Sequence, residues 1–137
     1  MRIGIVSAVL AGLVAGALGC GVRAADLFEV TRSGDTPAAR LKLVVNEEGH
    51  VRCNGRAGRD LANAQLVQAR AIQEELQTPA SAQTRLPARP GSVYAYAVRD
   101  ENGEVEFADN SANEPKVLHS LELFVLQVAQ QDCGLRE

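Results

Sequence analysis

His50 and Cys53 form an H-x-x-C pair, which is half of a tetrahedral zinc site. Cys133 and His119 are the residues that would have to complete it. The fold alone decides whether the four meet, and the plainer reading is a solvated His50 beside a disulfide-bonded Cys53. As a nucleophile, Cys53 would need a reduced thiol of lowered pKa next to a base. A partner cysteine in an oxidising compartment removes that thiol. Ser33, Ser81, Ser92, Ser111 and Ser120 lie in no nucleophile elbow and read as turn, cap or surface hydroxyls. Glu47-Glu48, and Asp100-Glu101 with Glu104, lack the ligand spacing of a calcium loop and read as solvated charges beside hairpin turns. The expectation is therefore no catalytic residue, no metal centre and no cofactor.

The compartment is written at the N-terminus. Met1-Arg2 is a short positive segment, and no charged residue follows from Ile3 to Val22. The stretch "IGIVSAVLAGLVAGALG" has the layout of an export signal. Reading it as an uncleaved anchor requires counting several Gly toward the roughly 20 apolar residues of a spanning helix. Gly16-Ala17-Leu18-Gly19-Cys20 resembles a bacterial lipobox, in which the cysteine thiol is lipidated and becomes the mature N-terminus. The alternative cut follows Ala24, after Val22-Arg23-Ala24, and releases a secreted protein. Either route leaves Cys53 and Cys133 as an even pair, as expected for one disulfide in an exported chain. The expected division is signal 1–19, tether 20–25 and one domain 26–137.

The 137 residues suffice for one domain. Hydrophobic residues are 46% and Trp is absent, so Leu, Val, Ile and Ala must fill the core. The formal net charge is -3, and loss of Arg2 with the signal makes the mature chain one unit more negative. That balance excludes nucleic acid as a partner, because a nucleic-acid binder needs a concentrated basic face.

The elements read in the order β-β-β-α-β-β-α, an α+β class with a largely antiparallel sheet and two helices packed on one face. "DLFEVTR", "ARLKLVVN" and "HVRCNG" are the first three strands, with Leu41, Leu43 and Val45 on one face of the second and Val51 with Cys53 on one face of the third. "NAQLVQARAIQEELQ" (63–77) is a helix with a stripe of Leu66, Ala69, Ile72 and Leu76, capped by Asp60 or Asn63. Residues 78–91 hold three Pro and read as a long surface loop. "SVYAYAVRD" and "EVEFAD" form a hairpin about Asn102-Gly103, a type I′ pair. Asn113 caps the last helix, Pro115 sits in its first turn, and Val117, Leu118, Leu121, Phe124, Val125 and Val128 form its apolar face. Gly134 caps its end. Tyr94, Tyr96 and Val98 are expected on the uncovered side of the sheet.

Two resemblances rest on these segments. "LFEVTRSGDTPAARLKLVVNEEGHVRCNG", "NAQLVQARAIQEEL", "RPGSVYAYAVRDENGEVEFADNS" and the last helix with Cys133 resemble small actinobacterial exported lipoproteins over nearly all of 20–137. The element order, the turn Arg32-Ser33-Gly34 and the paired late strands are similar to emfourin, an inhibitor of thermolysin-like metallopeptidases. This chain adds to that pattern the signal, Cys20 and the Cys53–Cys133 pair. The first resemblance implies an exported, lipid-anchored domain, and the lack of a convergent catalytic set leads to the expectation that it is non-catalytic and meets a protein partner or envelope component. The second implies that the partner is a peptidase. The partner-binding residues expected are Arg32, Ser33, Gly34, Tyr94 and Tyr96, with the turn 32–37 or the loop 78–91 as the inserted element.

Overall fold

The computed structural model describes residues 24–136. Cys20 and the signal therefore lie outside the described residues. Strands β1 (Asp26–Gly34), β2 (Leu41–Asn46), β3 (Val51–Cys53) and β4 (Arg56–Ala57) come first, then helix α1 (Asn63–Ser81). Strands β5 (Tyr94–Arg99) and β6 (Glu104–Ala108) and helix α2 (Lys116–Gln131) complete the chain. The six strands form one antiparallel sheet in the order β4-β3-β2-β1-β5-β6. The fold is α+β in the expected order, with the two-residue β4 as an addition.

The strands alternate, and their alternation sets the core. Val30, Leu41, Leu43, Val45, Val51, Cys53, Val105 and Phe107 point to one face and are buried with the helices. Phe28 meets Phe124 of α2 edge-on at 5.8 Å, a favoured arrangement of ring quadrupoles. The whole expected stripe of α2 is buried, and Ala129 extends it. Ala69, Ile72 and Leu76 of α1 complete the layer, with Ala80 one turn further. Each fully buried Val, Leu, Ile or Phe among them contributes about 1.5–3 kcal/mol by leaving water, and the alanines less.

Several local expectations are corrected. Helix α1 does not stop at residue 77 but runs through Pro79 to Ser81. Pro79 removes the one helical bond its N–H would make to the carbonyl four residues back, and the helix ends two residues later. The N-cap of α1 is Ala62, whose N–H donates to Gln65 Oε1 at 2.9 Å. Asp60 is instead taken up by His50. Asn113 has φ 56° and stands outside α2, whose N-cap is Pro115. Gly134, at φ 65°, does close α2, and Leu135 N–H reaches Ala129 O at 2.8 Å.

The β5–β6 hairpin also turns differently. Asn102 is not among the positive-φ residues, so the turn is not type I′. Asp100 Oδ1 accepts the N–H groups of Asn102 and Gly103 at 2.7 and 3.1 Å. That side chain builds the turn. Gly103 is required by a close approach: a Cβ there would lie 2.3 Å from Ala80 O of α1.

Cys53 and Cys133 are joined, with Cα atoms 5.8 Å apart and a sequence separation of 80. The bond fastens the end of α2 to β3. By restricting the unfolded chain it is worth roughly 4 kcal/mol. Replacing both cysteines by serine should lower unfolding stability by about 2–5 kcal/mol in guanidinium titrations. A loss below about 1 kcal/mol would show that the helix is held without it.

Candidate functional site

The residues expected to meet a partner do come together, but mostly inside. Arg32 pairs with Tyr96 across β1 and β5, and Gly34 with Tyr94. Residues directly opposite share a face, and this is the helix face. Tyr96 is 7% exposed and Val98 1%. The expectation that Tyr94, Tyr96 and Val98 lie on the uncovered side is therefore corrected: Ala95 and Ala97 lie there, beside Thr31 and Ser33. The rings bury more apolar area than two alanines, and that difference sets the strand's orientation.

Arg32 is 2% exposed. Its Nε donates to Ala39 O at 2.9 Å and its Nη2 to Ala38 O at 3.4 Å. Its guanidinium lies 4.8 Å from the Tyr94 ring centre, within cation–π range. Tyr96 stacks on Phe107 at 5.0 Å. Arg32 thus braces the turn Pro37–Ala39 from within, leaving Asp35, Thr36, Pro37 and Ala38 exposed.

The loop after α1 is exposed and fixed. Thr84 O accepts from Glu106 N–H at 3.0 Å, and Leu86 N–H donates to Glu106 O at 2.8 Å. This parallel bridge covers the free edge of β6. Beyond it, Pro87–Gly91 are all exposed. Asn110 Oδ1 accepts from Arg89 N–H at 3.0 Å, and its Nδ2 donates to Arg89 O and Pro90 O at 3.0 and 3.2 Å. Ser111 Oγ lies 3.0 Å from Pro87 O. Two side chains following β6 thereby hold an outward backbone in one shape.

A second cluster gathers at the start of α2. Glu114, from the loop before the helix, lies beside His119 and Glu122 on its first turns. The potential ligand atoms of these three lie within 4.8 Å of one another. His119 Nδ1 is 2.9 Å from Glu114 Oε2 and 3.9 Å from Glu122 Oε2. Side-chain exposure is 59% for His119, 2% for Glu114 and 19% for Glu122. The 2.9 Å approach is at ion-pair distance but lacks hydrogen-bond directionality, so neither buried Glu114 oxygen has a hydrogen-bond partner. Glu122 Oε1 is buried and unpartnered too.

Burial pushes the Glu122 carboxyl up to about 7, with the charges of Glu114 and Asp109 adding to it. Burial also raises Glu114; His119 pulls the other way and Asp109 adds. Asp109 is otherwise engaged, accepting from Ser92 Oγ at 2.8 Å and from Val93 N–H at 3.1 Å.

The H-x-x-C reading dissolves in the fold. Cys53 is in the disulfide, and His50 makes its contacts with acids. Its Nδ1 is 2.9 Å from Asp60 Oδ1 and its Nε2 is 3.1 Å from Glu48 Oε2. These acids approach opposite ring nitrogens, so they do not converge on one point. The hydrogen bond and charge of Asp60 raise the His50 pKa.

The cluster of Glu114, His119 and Glu122 was missed from sequence. His119 and Glu122 carry an i, i+3 signal, but Glu114 joins them from a loop whose path is set by Pro115 and Asn113. No protein-family model, curated protein or solved structure matches the chain.

Glu122 binds its proton more tightly when folded than when unfolded. Between the ordinary 4.5 and about 7 the native chain therefore carries more protons, and stability falls as pH rises through that window. Glu122→Gln should raise the melting temperature above the upper value and leave it nearly unchanged below the lower one. Thermal unfolding across pH in EDTA checks this. An equal gain at both ends would refute the assignment.

Proposed function

We propose that this chain is an exported, non-catalytic binding domain, tethered through Cys20 and meeting a protein partner of the cell envelope with the end of the sheet far from the tether. The supporting observation is the polarity of the sheet. Ala25 O accepts from Glu47 N–H at 2.9 Å, so the chain joins the fold at the start of β1. The four residues between Cys20 and Ala25 reach at most about 14 Å. The nine residues of β1 then carry the chain on the order of 27 Å away. At that far end stand the exposed turn Asp35–Ala38 and the exposed loop Pro87–Gly91.

A binding loop held before it docks loses less entropy on association. Asn110 and Ser111 supply that hold. The Cys53–Cys133 bond suits an oxidising compartment. Lipidation through one cysteine holds a domain at the surface without spanning. Among the described residues no helix is long and apolar enough to cross a membrane.

Metabolic labelling with a radioactive fatty acid in a bacterial host tests the tether. The wild-type chain should carry label in the membrane fraction, and Cys20→Ser should lose both label and membrane retention. Recovery of uncut chain from the cytosol with titratable thiols would overturn the reading.

The fixed, exposed loop also favours a narrower reading: an inhibitor of a metallopeptidase that presents Leu86–Gly91 to its target. Adding the purified protein to a thermolysin-like enzyme should then slow proteolysis, and Asn110→Ala should weaken the effect by freeing the loop. Unchanged proteolysis at micromolar protein would remove that enzyme class. A photo-crosslinker at Ala88 should still capture the envelope partner where one at Glu48 does not.

A further inference from the structure

We infer that Glu114, His119 and Glu122 form a binding site for one divalent transition-metal ion, zinc above all, with an open coordination position facing solvent.

Three observations carry this. The donors are of the right kind: one imidazole nitrogen and two carboxylates from a loop and one helix face. They converge within 4.8 Å. Zinc bonds of about 2.0–2.2 Å in tetrahedral geometry put neighbouring donors about 3.3–3.6 Å apart. The 2.9 and 3.9 Å from the imidazole to the two carboxylates bracket that spacing, and all three donors stay within 4.8 Å.

The second observation is the unmet demand of Glu114. Its side chain is 2% exposed and both oxygens lack a hydrogen-bond partner. A buried carboxylate that accepts no hydrogen bond, with only an exposed imidazole as counter-charge, is strongly unfavourable. Glu122, in the same cluster, has a buried oxygen without a hydrogen-bond partner as well. A dication satisfies both at once.

The third is access. His119 is 59% exposed and stands at the mouth of the cluster, which gives an ion its path in. Calcium is disfavoured, since it takes six to eight oxygens and no nitrogen. A mixed nitrogen–oxygen set suits zinc and its neighbours. Three protein ligands leave a fourth position for water or for a donor atom of a partner. The His50 cluster offers no comparable site, because its acids sit on opposite ring nitrogens.

Zinc titration of the EDTA-stripped full chain in mild detergent, followed by calorimetry, tests the site. The wild type and His50→Ala should each bind one ion per chain saturably and with equal affinity. His119→Ala should weaken binding more than about 10-fold, the minimum lost when even an outer partner of a metal ligand is removed. His119 is exposed, so this variant keeps the fold, and circular dichroism verifies it. Glu122→Gln should weaken binding similarly. With cobalt in place of zinc, the visible bands of a four-coordinate ion should appear in the wild type and vanish in His119→Ala. Absence of saturable binding, binding in His119→Ala equal to wild type, or loss of binding in His50→Ala would each overturn the site.

Discussion

Helix α2 is the element on which the rest of the molecule leans. Its apolar face, from Val117 to Ala129, closes the core over the sheet, and Phe124 against Phe28 is its central contact. With no Trp and few aromatic residues, the core has little other bulk to spend. The helix is held at its end by the Cys53–Cys133 bond and by the Gly134 turn. Gln65 Nε2 of α1 adds a hydrogen bond to Asp132 Oδ2 at 2.9 Å. Its start carries the carboxylate cluster. One packing seam therefore sets both the stability of the fold and the position of its least satisfied polar groups.

The far end of the sheet is organised by side-chain-to-backbone hydrogen bonds as well as by apolar area. Arg32 replaces water with two carbonyls and a ring face, and so holds the turn Pro37–Ala39 in place. Asn110 and Ser111 do the same for the loop beside it. Gly34 fits because a Cβ there would lie 2.7 Å from both Ala39 Cβ and Val93 O. These are side-chain-to-backbone contacts across many residues, and each fixes a loop that apolar burial cannot. On the uncovered face, Thr31, Ser33, Ala95 and Ala97 line an open concavity with Leu86 and Ala88 of the loop.

Much of this fold was readable before the structure, and the divisions have physical causes. Leu41, Leu43 and Val45 alternate with Arg40, Lys42 and Val44, and the two charged neighbours suffice to turn the leucines and Val45 to the core. The stripe of α2 is wide and unbroken, and every member of it is buried. Strand β5 failed the same test because both of its faces are apolar; side-chain volume decided it, not polarity. The turn after it failed because Asn102-Gly103 was read from backbone preference, while Asp100 formed the competing side-chain bonds. The carboxylate cluster had no sequence signature, since Glu114 reaches it only through the path of a loop.

That cluster poses a question of charge that the helix partly answers. Glu114 immediately precedes the N-terminal end of α2, where unpaired N–H groups and the helix dipole favour negative charge by about 0.3–1 kcal/mol. One carboxylate is therefore at home there. Two are not: Glu114 and Glu122 repel each other, Asp109 adds to the repulsion, and burial opposes the charge of both. A proton relieves one of them and leaves the other. His119 approaches Glu114 without hydrogen-bond directionality and stays mostly in water, so it relieves neither fully. A dication between the three neutralises both carboxylates and uses the imidazole as a ligand rather than as a distant counter-charge. Asp109, whose charge acts on both carboxylates, also accepts from Ser92 and Val93, so the cluster lies beside the segment that follows the fixed loop.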